Sequence, residues 1–191
     1  MTESRSVYRG NILDVREDTV RYPDGSEGVL EIVRHRGAAA VLPLYAPEDS
    51  TDGTGPDVIL LRQYRYAAGG TLWEAPAGKL DEGESPETCA ARELEEEAGV
   101  KAARLVQLTT LLTTPGFSDE RIHLFLATGL EEGEQALERH EVIECFRMPL
   151  ARAVEMVLSG EIVDGKTVSV LLMVAALPDL WDEREDAVEL R

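Results

Sequence analysis

Along the chain, apolar positions fall into two rhythms separated by turn-forming stretches. From Val7 to Val33 polar and apolar residues mix around the turn signal Tyr22-Pro23-Asp24-Gly25, which predicts a small antiparallel sheet. Ala38 to Tyr45 is almost continuously apolar and predicts a buried strand. Ala46 to Asp57, rich in Pro, Gly, Asp, Ser and Thr, predicts an exposed loop, and Val58 to Tyr64 a second strand; these two strands are expected to form a hairpin across a long connection. The clearest helix is predicted from Pro86 to Ala98, with Ser85 as its N-cap, Pro86 in its first turn and Gly99 just past its end. Arg121 to Ala127 and Glu141 to Arg147 predict further strands, and Leu150 to Leu158 and Thr167 to Ala176 two more helices. Strands and helices mixed without strict alternation indicate an α+β chain, an α/β/α sandwich with a mixed sheet. The expected division is an N-terminal β subdomain over 1–36, a main domain over 37–180 and an acidic tail over 181–191.

Composition narrows the function. A chain of 191 residues with 43% hydrophobic residues has enough material for one well-formed core. No stretch approaches the roughly 20 apolar residues that span a bilayer, and MTESRSVYRG has no apolar run behind its arginines, so a membrane partner and a secretory signal are not expected and the chain reads as cytoplasmic. Cys89 and Cys145 make neither a disulfide framework nor a metal pair by spacing, and Cys89 reads as a small buried residue. The net charge of −18 argues against nucleic acid as a partner. It leaves room for a small phosphorylated substrate, provided that cations neutralise the site locally.

The chemistry concentrates in Gly78-Lys79-Leu80-Asp81-Glu82-Gly83-Glu84 and the helix that follows. On that helix Glu93 and Glu97 are four residues apart and Glu96 is three from Glu93, so the carboxylates share one face. Like charges at that spacing repel unless a cation intervenes, and oxygen ligands without His or Cys suit Mg²⁺, with Mn²⁺ as a substitute, rather than zinc. A run such as Glu95-Glu96-Glu97 taken alone is more often a solvated helix face. The whole segment is different: Gly78, Glu84, then Arg92-Glu93-Leu94, Glu96-Glu97 and Gly99-Val100 fall at fixed spacing, a pattern that arises by chance on the order of once in a billion windows.

That pattern matches the Nudix box at every defined position, so the chain resembles the Nudix hydrolase family, with the box covering 78–100. The resemblance implies a Nudix-type α/β/α sandwich in which the box binds divalent metal. It implies that Glu93, Glu96 and Glu97, with the carbonyl of Ala77, are metal ligands, and that Arg92 orients a box glutamate. Glu84 would brace that network, and Gly78 and Gly99 support it structurally. Metal would neutralise a pyrophosphate and activate water.

The flanks resemble the ADP-ribose pyrophosphatase branch. Arg62-Gln63-Tyr64-Arg65-Tyr66 and Leu72-Trp73-Glu74-Ala75-Pro76-Ala77 stand upstream, and Pro115 lies sixteen residues after Gly99, within Thr114-Pro115-Gly116-Phe117-Ser118-Asp119-Glu120. By that resemblance Arg65 and Glu74 contact phosphates or ribose, and Phe117 and Ser118 line the terminal ribose pocket. A solvated Arg and a core-packing Phe are the structural alternatives. The N-terminal sheet, similar to the family around Tyr8-Arg9-Gly10-Asn11-Ile12, would be exchanged in a homodimer, with Ile12 and Glu31 near the adenine of the partner's substrate. The general base is expected at Glu141, with Glu138 the alternative; His140 between them reads as a surface residue. The implied reaction is hydrolysis of ADP-ribose to AMP and ribose 5-phosphate. Another nucleotide sugar, GDP-mannose or ADP-glucose, is the alternative substrate, and a non-catalytic nucleotide sensor the alternative class.

Overall fold

The computed structural model describes residues 1–137 and 142–180. Ten strands and three α-helices are found among them. The first three strands, β1 (Glu3–Arg9), β2 (Asp14–Arg21) and β3 (Glu27–Arg34), form the expected antiparallel sheet, with the turn at Tyr22–Gly25 joining β2 to β3. It extends four residues further toward the N-terminus than the apolar pattern indicated, because Glu3 to Ser6 pair with Arg16 to Thr19 through polar side chains.

β4 (Ala38–Pro43) is the centre of the main domain, and every one of its residues is buried. It pairs in parallel with β9 (Arg121–Glu132) and antiparallel with the short β7 (Ala77–Lys79), while β8 (Val100–Leu112) completes the sheet on the far side of β9. The sheet is therefore mixed. A second sheet contains β10 (Ile143–Pro149), β5 (Asp57–Arg65) and β6 (Gly70–Glu74) in that order.

The hairpin expected between 38–45 and 58–64 does not form. β4 and β5 belong to different sheets and meet only at an isolated antiparallel bridge, Leu44 to Val58. The physical reason is the uninterrupted apolar run of β4. A strand buried on both faces is more fully satisfied between β7 and β9 than at a hairpin edge. β6, β7 and β8 were not anticipated. The first two are three to five residues long, and β8 carries Lys101, Arg104 and Gln107 among its apolar positions.

Side-chain alternation along β4 divides the core. Ala39 and Val41 face one cluster with Cys89, Ala90 and Leu94 of α1 (Pro86–Ala98). Ala40 and Leu42 face the other, with Leu150 and Ala153 of α2 (Leu150–Leu158) and Val170, Leu171 and Val174 of α3 (Gly165–Ala176). Helices thus cover both sides, as a sandwich of this class requires. The N-terminal sheet joins the main domain through Val33, which bridges to Ser118, accepts from Asp119 N and donates to Phe117 O. Among the described residues no helix is long and apolar enough to cross a membrane.

Leu94 is 1% exposed and anchors α1 to the sheet. Leu94→Ala is expected to cost about 2–5 kcal/mol, read from the midpoint of urea denaturation at unchanged slope.

Candidate active site

Local sequence fixes α1 at both ends. The hydroxyl of Ser85 accepts from Thr88 N at 3.1 Å, and Gly99, at φ 67°, lets its N–H reach Glu95 O at 3.1 Å. The positive φ and a Gln135 N that a Cβ would approach to 3.0 Å both favour glycine there. The helix therefore starts and stops in a register that turns Glu93 and Glu97 toward β7, where both are buried.

Gly78 faces Glu93 so closely that a Cβ would lie 1.8 Å from its Oε1. A side chain at position 78 and a carboxylate at 93 cannot coexist in this arrangement. One residue earlier, Ala77 N donates to Glu97 Oε2 at 2.8 Å, so β7 and α1 are tied through the backbone just before the box.

Arg92 organises the remaining carboxylates. Its Nε and Nη2 hold the two oxygens of Glu84, each at 3.0 Å, while Nη1 donates to Glu93 Oε1 at 2.7 Å and Glu96 Oε2 at 3.1 Å. Nη2 also reaches Lys79 O at 3.3 Å. The hydrogen bonds from Arg92, and then from Asp81 N, hold Glu84 below the usual carboxylate range, and Glu84 in turn raises the guanidinium above its ordinary value. Cys89, buried beneath, has its thiol pushed up to about 12, mainly by burial, so it is inert as a nucleophile.

A second network lies where β5, β6 and α3 meet. Glu74 is buried, and Arg65 grips it with Nε at 2.7 Å and Nη2 at 2.9 Å. Lys166 Nζ donates to Glu74 Oε2 at 2.6 Å and to Asp164 Oδ2 at 3.0 Å. Burial alone would raise the Glu74 carboxyl, but Arg65 and Lys166 outweigh it and hold it below its ordinary value. Asp164 caps α3 by accepting from Thr167 N and Oγ1, and Thr167 Oγ1 accepts from Ala75 N at 2.8 Å. The chain from Glu74 to Ala77 is consequently held at each end before it enters the box.

The structure thus brings Ala77, Gly78, Glu84, Arg92, Glu93, Glu96, Glu97 and Gly99 into one continuous unit. Arg65 and Glu74 stand together one strand away. Glu74 has both oxygens engaged by Arg65 and Lys166, which makes it a holder of Arg65. Phe117 is exposed rather than packed in the core, while Ser118 Oγ donates to Val33 O at 3.3 Å. Ile12, in the turn between β1 and β2, and Glu31, on β3, are exposed. Glu138, His140 and Glu141 lie outside the described residues. The sequence pattern does not single out Lys166, Asp164 and Thr167, because it predicts that α3 begins at Thr167. An Asp three residues before Thr167 was the capping signal.

Among the described residues no three acidic, His or Cys side chains converge on one point in the manner of a metal site. The chemistry of the donor set nonetheless fits a hard divalent cation. Glu93, Glu96 and Glu97 offer oxygen alone from one helix face, and Glu93 lies against the Gly78 backbone with no intervening side chain.

Comparison with known proteins identifies the family and the fold. The family model described as NUDIX domain matches residues 34–169, and one described as nucleoside diphosphate sugar hydrolase N-terminal domain matches residues 2–33. An ADP-ribose pyrophosphatase of Bacillus subtilis is 39% identical over 163 residues, 84% of each chain. One of Mycobacterium tuberculosis is 40% identical over 177 residues, covering 91% of this chain and 82% of that protein. A GDP-mannose pyrophosphatase of Salmonella typhimurium is 36% identical, covering 74% of this chain and 78% of its own. Among solved structures, an ADP compounds hydrolase superposes with a TM-score of 0.76 over 94% of each chain at 24% identity, a likeness of fold.

Two outcomes are expected from these networks. Lys166→Met strips one partner from a buried carboxylate and should destabilise the protein by about 3 kcal/mol, part of which Glu74→Gln in the same chain restores; a denaturation double-mutant cycle measures both. The folded-state pKa of Glu84 is depressed, so its contribution is complete above the ordinary carboxylate value and disappears as pH falls through the lower, folded value. Glu84→Gln should therefore lower the melting temperature at pH 7 and shrink that difference progressively below about pH 4.

Proposed function

The chain belongs to the Nudix hydrolase family, and on that premise we propose that it hydrolyses the pyrophosphate bond of ADP-ribose to AMP and ribose 5-phosphate with Mg²⁺ as the metal. The observation that carries the reading is the carboxylate face of α1, with Glu93 and Glu97 buried against Ala77 and Gly78 and with Arg92 binding Glu93, Glu96 and Glu84 together. Relatives at 39% and 40% identity that are ADP-ribose pyrophosphatases support the substrate.

Glu93, Glu96, Glu97 and the carbonyl of Ala77 would hold the metal. Bound there, Mg²⁺ supplies charge neutralisation of the pyrophosphate and a water of lowered pKa. Arg92 holds Glu93 and Glu96 together on one face of α1, which restrains both side chains before substrate arrives. Arg65, half-exposed and oriented by Glu74, directs its remaining donors toward a phosphate or ribose oxygen. Phe117 and Ser118 form the wall for the terminal ribose. A carboxylate of the 138–141 segment, Glu141 in preference to Glu138, accepts the proton of the attacking water. Water adds to one phosphorus, the bridging P–O bond breaks, and the leaving phosphate oxygen takes the electron pair.

The protein is proposed to act in the cytoplasm as a homodimer that exchanges the β1–β3 sheet, with Ile12 and Glu31 reaching the adenine in the partner's site. Support comes from the exposure of Val7, Ile12 and Val29 on that sheet and its turn, at 55%, 65% and 59%. GDP-mannose is the second substrate reading, favoured by the relative at 36% identity.

A product assay with Mg²⁺ on ADP-ribose, GDP-mannose, ADP-glucose and a nucleoside triphosphate tests the proposal. Wild type should release AMP and ribose 5-phosphate from ADP-ribose in clear preference to the rest, and Glu97→Gln should lower that rate about a hundredfold or more. Equal or faster turnover of GDP-mannose would replace the substrate and keep the mechanism.

A further inference from the structure

The last turn of α1 is built against its own electrostatics. A helix carries partial negative charge at its C-terminal end, where acidic residues are unfavourable and basic ones favourable. Glu95, Glu96 and Glu97 occupy that turn, which has no basic residue of its own. The carbonyls of a last turn also have no partner further along the helix, so such a turn frays unless donors reach it from outside. Glu95 is relieved locally, by Gly99 N at its carbonyl and Lys101 Nζ at its carboxylate, 3.1 Å in each case.

The remaining donors come from the segment between β9 and β10. Gly133 N donates to Gly99 O at 2.7 Å, Ala136 N to Glu96 O at 2.9 Å, and Gln135 Nε2 to Glu97 O at 2.6 Å. The Gln135 amide also reaches Cys145 Sγ at 3.0 Å, and that thiol donates to the same Glu97 carbonyl at 3.2 Å, which ties β10 to the helix end. The approach is close on both sides. A Cβ on Gly99 would lie 3.3 Å from Gln135 Cγ, and one on Gly133 would lie 3.2 Å from Gly99 O. Leu137 packs onto the cluster that contains Leu94 and Val100, which seats the far end of the segment. Residues 133–137 are therefore a strap that brings to α1 the electropositive partners its own last turn lacks.

We propose that Gln135 is a positioning residue for the metal: by holding the Glu97 carbonyl it keeps Glu96 and Glu97 on the face they share with Glu93. This rests on the reading that those carboxylates bind Mg²⁺. Arg92 restrains Glu93 and Glu96 through their side chains, and the strap restrains the end of the helix through its backbone. Mg²⁺ demands near-ideal octahedral geometry, so loosening the last turn costs metal affinity before it costs the fold. Gly133 and Ala136 act through backbone N–H groups, whereas Gln135 acts through its side chain, which a single substitution removes.

Mn²⁺ binding to the full-length protein without nucleotide, followed by electron paramagnetic resonance, is the test. Glu97→Gln should lose the tight site. Gln135→Met, which keeps the side-chain length but donates nothing, should weaken Mn²⁺ about tenfold. Gln135→Lys, which puts a donor back at that reach, should restore most of the affinity. Gln135 lies at the surface, so both variants should melt close to the wild-type temperature. Wild-type affinity in Gln135→Met, with the site lost in Glu97→Gln, overturns the positioning role. A lowered melting temperature with unchanged Mn²⁺ affinity makes Gln135 purely structural and overturns it as well. Undiminished binding in Glu97→Gln, or no tight site in the wild type, overturns the metal reading itself and the proposal with it.

Discussion

The fork of Arg92 is the contact on which the candidate site depends. Three carboxylates crowded at the mouth of one helix would repel one another and scatter into solvent. A single guanidinium, planar and always charged, instead gathers Glu84, Glu93 and Glu96, and reaches the Lys79 carbonyl as well. Because Glu84 precedes the helix and Lys79 belongs to β7, that one side chain also fixes the loop to both elements. Lysine could supply the charge but not the fork, since its ammonium would satisfy one carboxylate's geometry at the expense of the others.

Around that fork, the fold supplies backbone rather than side chains. Gly78 brings β7 against Glu93, Ala77 donates its N–H to Glu97, and Thr167 holds Ala75 from α3. The Arg65–Glu74–Lys166 network repeats the same logic one strand away, with a buried carboxylate used to aim a cation. In both places the carboxylate kept ionised by its partners does the positioning.

Much of this was legible in the sequence where spacing alone determines geometry. The register of α1 follows from Ser85, Pro86 and Gly99, and the shared face of Glu93, Glu96 and Glu97 follows from helical periodicity. Contacts between distant segments left no such local trace. Lys166 and Glu74 are separated by 92 positions, and nothing near either announces the other. The partner of β4 is hidden for the same reason: a long-range parallel pairing with β9 has no turn to signal it, whereas the nearby strand at 58–64 invites a hairpin. The strands β6 and β7 are too short to show a period, yet β7 carries the backbone that the carboxylate face rests on.

The parallel pairing of β4 with β9 has a consequence for how the molecule is made. Ala38 is matched to Ile122 and Pro43 to Ala127, so the most apolar strand of the protein must wait for its central neighbour until more than eighty further residues have been synthesised. At about 5–20 residues per second, a nascent chain carries Ala38–Pro43 without that cover for several seconds. Closing such a long loop is also slow in entropic terms compared with forming the β1–β3 meander, which can assemble first. Birth on the ribosome, rather than the finished state, is therefore when this chain is most exposed to self-association.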